Sequence, residues 1–323
     1  MLRCISGRFI KGGCNSLIKN FDQLLESAAA QKTMRLAVAA AQDPEVLGAV
    51  AKATEMGLIV PILVGDRQKI VELCASEQIE CGAFEIIDEK DLEASAQISV
   101  QLVRDGKADF LMKGLIDTSI LLKAVLNRDY GLRTENQLSH VMLYDLPTYH
   151  KLLFLTDGGM NIEPTLAEKA TIIRNALCAA YALGMDTVKV ACLAAKEKVN
   201  DKMPATVDAR ALEIMCREGA FGDKAIVEGP LAFDLAVSRE AADIKGFKSE
   251  IAGDVDVLLV PNIEVGNGIG KALTYLANAE SAGIIMGAKV PVVLVSRADT
   301  AEVKLYSIAL GSVVAAGRAE IQV

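Results

Sequence analysis

Short apolar runs rich in valine, isoleucine and leucine alternate along the chain with longer stretches in which apolar residues recur every three or four positions. The first pattern predicts strands buried on both faces, and the second predicts amphipathic helices. Strands are expected at 35–39, 58–64, 84–87 and 108–112, with helices between them opened by Asp43-Pro44 and by Gly65-Asp66, and others at 91–105 and 118–126. A helix at 21–32 precedes them. This β-α alternation predicts an α/β fold with mainly parallel sheets covered on both faces.

The polar stretch NRDYGLRTENQ at 127–137 interrupts the pattern and marks a domain boundary. Beyond it, strands are expected at 139–144, 152–155, 188–193, 225–227 and 255–260. Thr165 and Glu168 form a capping box for a helix after the turn-rich loop TDGGMNIEPT. The run at 290–295 resembles the strands of the first half, so it is expected to rejoin that half's sheet. The predicted organisation is a first domain at 1–137 plus 289–323 and a second, inserted domain at 138–288.

Composition narrows the function. At 323 residues the chain is long enough for two medium domains, and 52% hydrophobic residues exclude a mainly disordered chain. No apolar run reaches the length of a membrane span, so no membrane partner is expected. A net charge of −8 with no basic stripe argues against nucleic acid. Seven irregularly spaced cysteines, without a CxxC, suit a reducing cytoplasm, and with only two histidines no metal site is expected. The first twenty residues carry Arg3, Arg8, Lys11 and Lys19 and no acid; residues 1–19 read as an extension rather than a targeting segment.

Candidate chemistry falls where predicted strands end. Lys113-Gly114, 156–161, Gly229-Pro230, 261–267 and Ser296-Arg297 each follow a strand's carboxyl end, the edge where open α/β sheets bind ligands. Ser296 and Arg297 precede a helix that Asp299 and Thr300 can cap. Unpaired N–H groups and the positive end of a helix dipole gather there, and Arg297 adds a planar fork suited to phosphate. GNGIGK at 266–271 lacks the spacing of a nucleotide-binding loop, and its glycines read as sites of close backbone approach. His140 follows Ser139 directly, so the two point to opposite faces of a strand and form no catalytic pair; His140 reads as structural. Asp254 and Asp256 read as solvated strand-entry residues.

The segments LTDGGMNIEPT, VNDKMPATVDA, EGPLAFDLAVS, VPNIEVGNGIGKALTYLA and VPVVLVSRADT, in that order, closely resemble the phosphate acetyl/butyryltransferase family, over nearly everything from Lys19 onward. The resemblance implies two α/β/α domains with the active site in the cleft between them. It implies reversible transfer of a short-chain acyl group, butyryl before acetyl, between coenzyme A and inorganic phosphate. Coenzyme A thioester is then a substrate, no cofactor is bound, and a cytoplasmic homo-oligomer is expected. The family's Ser-Arg motif maps onto Ser296 and Arg297, with Ala298 after them as in the butyryl branch. The acetyl branch has an aspartate base seven residues after the serine; Val303 stands there, and the neighbouring Glu302 is the candidate base. Arg297 is expected to hold phosphate, and Ser296 to stabilise the tetrahedral oxyanion. Phosphate or coenzyme A contacts are expected from Lys113, Gly114, Thr156, Asp157, Asn161, Asn262, Gly266, Asn267, Lys271, Asp299 and Thr300. A competing expectation from another class is an acyl-CoA sensor without turnover.

Overall fold

The computed structural model describes residues 17–296 and 299–321. The first half contains α1 (Phe21–Ala30), β1 (Met34–Ala39), α2 (Pro44–Glu55), β2 (Ile59–Gly65), α3 (Arg67–Ser76), β3 (Glu85–Asp88), α4 (Leu92–Arg104), β4 (Phe110–Lys113) and α5 (Thr118–Val125). Next come β5 (Ser139–Asp145), β6 (Leu153–Thr156), α6 (Leu166–Ala182), β7 (Val188–Leu193), α7 (Pro204–Arg217), β8 (Ala225–Leu231), α8 (Phe233–Val237) and α9 (Arg239–Ile244). The chain closes with β9 (Val257–Leu259), α10 (Ile263–Leu276), β10 (Glu280–Met286), β11 (Val292–Val293) and α11 (Ala301–Ile321).

Local chemistry sets most of these boundaries. The carboxylates of Asp43, Asp66 and Asp91 accept N–H groups in the first turns of α2, α3 and α4, and Pro44 opens α2 where no N–H is needed. Gly57 follows α2 with φ +75°, a conformation glycine adopts without strain. Thr165 and Glu168 form the expected reciprocal capping box on α6. Of the expected extension, residues up to 16 lie outside the described ones; Ile18 is buried and its N–H reaches Leu183 O, so this end is part of the fold.

The mainly parallel α/β class is observed, but the two separate sheets expected for the two segments are one. Eleven strands run in the order β3-β2-β1-β4-β11-β10-β5-β6-β9-β7-β8. The β3-β2-β1-β4-β11 block is parallel, and so is β6-β9-β7-β8. Antiparallel β10 and β5 join the blocks. β11 does pair with β4 as expected, with Val293 opposite Met112, but its other edge pairs with β10, with Val293 opposite Ile284. β10 was not expected as a strand, and the β11 ladder covers only Val292–Val293 of the predicted run.

One face of the sheet is covered throughout: α1, α2, α6 and α11 pack there on a core containing Val141, Leu143, Phe154, Ile284 and Val293. The other face carries two separate cores. One lies under α4 and α5, and the other involves Leu155, Leu258, Ile269 and Leu273 beneath α10. Between them, the middle strands β10 and β5 present a face that no described helix covers in full, with α10 reaching only Tyr144 at its edge. No described helix is long and apolar enough to cross a membrane.

Away from that gap, Asp254 and Asp256 are not simple strand-entry residues. Asp254 accepts from His150 Nε2 at 2.7 Å and also pairs with Lys151 and Lys189; Asp256 is buried and pairs with Lys151 at 2.7 Å. Burial pushes the Asp254 carboxyl up, but the three donors outweigh it and hold it well below the usual carboxylate range. A depressed folded-state value stabilises the fold above the unfolded value of about 4 and is lost as pH falls through that region. The urea midpoint of the wild type is therefore expected to fall on acidification below about pH 5, and that of Asp254→Asn to fall less steeply from a lower start. Parallel curves would remove Asp254 from the acid limb.

Candidate active site

The uncovered face forms the floor of a cleft of about 570 Å³. Alternate residues of one strand point the same way, so His140, Met142 and Tyr144 of β5 lie beside Ile285, Gly283 and Ser281 of β10, in register. The walls come from four connections: 113–118 after β4, 158–160 after β6, α10, and the link from β11 into α11.

Four of the five predicted strand-end segments thus meet. The fifth does not: Gly229-Pro230 borders a different cavity, where Arg210 pairs with Glu213 at 2.6 Å. Lys113 lines the cleft although nearly buried, and its ammonium donates to Gly114 O at 3.3 Å and Ile116 O at 3.1 Å. Gly114 sits against Ala39 O and Ala40 O, where a Cβ would collide, so it shapes this wall. Lys271 faces the cleft from α10 with its ammonium 5.8 Å from the Tyr275 ring centre.

The loop after β6 is organised from within. Asp157 is buried, and its carboxylate accepts from Gly159 N at 2.8 Å, Met160 N at 2.9 Å, His140 N at 2.9 Å and Asn161 Nδ2 at 2.6 Å. Asn161 also donates to Leu138 O, and the Thr156 hydroxyl donates to His140 O at 2.8 Å. These three residues, expected to touch substrate, do not line the cleft; they present Gly158, Gly159 and Met160, which do. Asn262 likewise caps α10 by accepting Val265 N at 3.1 Å. Gly266 and Gly158 let α10 approach this loop: a Cβ on Gly266 would stand 2.6 Å from Gly158 Cα. Asn267 lines the wall, with Nδ2 3.5 Å from Gly158 O.

At the β11–α11 link, Ser296 N–H donates to Asp299 Oδ2 at 2.7 Å, and Asp299 N–H returns to Ser296 O at 3.2 Å. Thr300 Oγ1 accepts Val303 N–H and starts α11, as expected for a cap. Ser296, Asp299, Thr300 and Val303 all line the cleft. Arg297 lies outside the described residues. Glu302, the expected base, is not in the lining. It is exposed, and its charge acts on Glu280 and Tyr306. One residue along a helix is a rotation of about 100°, which brings Val303 into the cleft and turns Glu302 away.

His140, Tyr144 and Ser281 belong to the site but were not expected there. The floor follows from β10, and without that strand the register that gathers these residues is invisible. Burial, with the Asp299 carboxylate, pushes the Tyr144 phenol well above its ordinary value.

Known proteins place this arrangement. The profile described as phosphate acetyl/butaryl transferase matches residues 20–98 and 92–312. The chain belongs to that family. It is 42% identical over 302 residues to a phosphate butyryltransferase of Clostridium acetobutylicum, covering 94% of this chain and all of that one. It is 41% identical over 303 residues to a phosphate acetyltransferase of Rhizobium meliloti, covering 94% and 96% of the two chains. A crystal structure of a branched-chain phosphotransacylase from Enterococcus faecalis superposes with a TM-score of 0.78 at 36% identity, covering 88% of this chain and 99% of that one.

Proposed function

We propose that this protein is a phosphate acyltransferase that moves a short-chain acyl group, butyryl in preference to acetyl, between coenzyme A and inorganic phosphate. Family membership supports the reaction class. The observation that carries the reading further is the pairing of charge and floor within one cleft. Lys113 and Lys271 stand on the walls, where two anionic substrates need fixed donors, while Met142, Leu155, Ile285 and Leu294 offer apolar surface. Phosphate oxygen attacks the thioester carbonyl, a tetrahedral oxyanion forms, and the thiolate leaves. Holding both reactants together removes much of the entropic barrier without an acyl-enzyme. Ser296 donates to the oxyanion, and Asn267, Thr300 and the lysines hold phosphate or coenzyme A groups.

The butyryl preference rests on the apolar residues Met142, Leu155, Ile285 and Leu294 in the cleft, which give the extra methylenes of a longer acyl group a surface to cover. Each methylene in such a pocket is worth about 1–3 kcal/mol. Thiol release should be followed with acetyl-, propionyl-, butyryl- and valeryl-CoA in phosphate. Butyryl-CoA is expected to exceed acetyl-CoA in kcat/KM by about tenfold or more. A profile favouring acetyl-CoA would assign phosphate acetyltransferase activity instead. Binding of acyl-CoA with no thiol release would identify a sensor.

A further inference from the structure

Acyl transfer to coenzyme A requires a proton to leave the thiol, and the reverse reaction requires one to return to sulfur. Few cleft-lining groups can carry it. Lys113 and Lys271 are cations suited to holding anions, and the Tyr144 phenol resists ionisation because it is buried. Asp117 and Tyr275 are exposed at the rim. The Asp299 carboxylate is engaged with Ser296 N–H at 2.7 Å and holds the turn into α11.

His140 differs from all of these. Its main chain is fixed at both ends, N–H to Asp157 Oδ2 at 2.9 Å and O from Thr156 Oγ1 at 2.8 Å. Its ring is slotted between two glycines. A Cβ on Gly159 would collide with Nδ1, and one on Gly283 would stand 3.2 Å from Nε2. Space for an imidazole is thus built from both sides, on the cleft floor. Nevertheless Nδ1 is buried without a hydrogen-bond partner among the described residues. Buried polar atoms are almost always paired, and an unpaired one at a cleft calls for an explanation beyond packing. A ring needed only for its bulk would cost less as an apolar residue.

From this geometry we infer that His140 exchanges the proton of the coenzyme A thiol during acyl transfer. The inference rests on the acyl-transfer reading of the cleft. With acyl phosphate as donor, an imidazole nitrogen takes the S–H proton and the thiolate sulfur bonds to the carbonyl carbon. The C–O bond to phosphate then breaks with its electron pair on oxygen. The imidazolium returns the proton to the departing phosphate, which leaves as hydrogen phosphate. The reverse reaction retraces these steps.

The charges around the ring suit this task. Burial holds the imidazole toward its neutral, proton-accepting form, while the carboxylates of Asp157, from the loop after β6, and Asp299, at the start of α11, favour the imidazolium. Tyr144 on the same strand and Lys113 and Lys271 on the walls are the other titratable groups toward this part of the cleft.

The test uses the full-length wild type, His140→Asn and His140→Gln. Rates are measured in both directions, with butyryl phosphate plus coenzyme A and with butyryl-CoA plus phosphate, across about pH 6–9. Coenzyme A affinity and melting temperature are recorded beside them. In the wild type, the acyl-phosphate direction is expected to slow as pH falls, because the base becomes protonated. The acyl-CoA direction is expected to slow as pH falls as well, because there the same neutral imidazole first takes the proton of hydrogen phosphate and then passes it to sulfur. Both variants should lose about 10²–10⁴-fold in kcat, lose the acid limb in the acyl-phosphate direction and regain part of the rate with added imidazole, at unchanged coenzyme A affinity. Folded variants with wild-type rates and profiles would overturn the role. If neither variant folds, the wild type decides: an acid limb in the acyl-phosphate direction supports the role, and a flat profile there overturns it. A wild type that releases no thiol would remove the acyl-transfer reading and this role together; an active wild type with unaffected variants removes the role alone.

Discussion

Ser296→Ala is expected to lower turnover by about 10²–10³-fold while leaving the KM for phosphate within about threefold. The hydroxyl stands on the cleft lining, at the junction of β11 and α11. Two bonds that do not involve the hydroxyl hold the turn: Ser296 N–H to Asp299 Oδ2 at 2.7 Å, and Asp299 N–H to Ser296 O at 3.2 Å. Removing the hydroxyl therefore leaves these bonds in place. On the proposed role, the substitution removes a donor to an oxyanion that exists only near the transition state, which would lower kcat without weakening ground-state phosphate binding. Steady-state kinetics against phosphate, at saturating butyryl-CoA, separate the two parameters. Wild-type values in a folded variant would make Ser296 a structural residue of the turn.

The second large effect is expected from a glycine with no chemistry of its own. Gly266 lies in the first part of α10 where the helix meets the loop after β6. A Cβ there would stand 2.6 Å from Gly158 Cα, 2.8 Å from Val260 Cγ2 and 3.0 Å from Asp157 O. Two of these are main-chain atoms, which cannot rotate away. Gly266→Ala should therefore push α10 from the loop, costing about 1–3 kcal/mol of stability. Because the displaced helix carries Asn267 and Lys271, kcat/KM should fall by at least about tenfold, the penalty of a misplaced wall. Gly268 supplies the control. It lies on the same helix with nothing within 4 Å of its added Cβ. Gly268→Ala should stabilise by up to about 1 kcal/mol through helix propensity, with activity retained. Denaturant melts and kinetics on both variants check the pair; equal behaviour would mean that the Gly266–Gly158 contact does not position the wall.

Where local physics decides, the sequence was readable. Asp43-Pro44, Asp66, Thr165 with Glu168, and the β7 run at 188–193 each formed what its residues predict. Side chains at most strand ends also converged, because parallel strands deliver their following loops to a shared edge. Three things were hidden. β10 runs through Ser281, Ala282 and Gly283 soon after a helix, so its composition does not announce a strand, and only pairing with β5 and β11 makes it one. That omission split one sheet into two. Polar loop residues such as Asp157 and Asn161 looked like ligand contacts, yet they are consumed by bonds within the loop. No sequence pattern distinguishes a donor aimed at substrate from one aimed at its own backbone. His140 is the opposite case: a lone histidine on an apolar strand reads as a satisfied structural residue, and its missing partner is visible only in three dimensions.

β11 is the last described strand in the chain, yet it lies near the middle of the sheet between β4 and β10. On a ribosome the chain grows from the other end. Until Val292 and Val293 emerge, β4 and β10 each keep an open edge, the kind of surface on which partly made chains aggregate. The same closing segment brings Ser296 and Asp299. A nascent chain therefore cannot complete this wall of the cleft before its sheet is sealed, and a product stopped before β11 would carry both an open sheet and an unfinished cleft. Closure of the sheet and completion of the cleft become a single event.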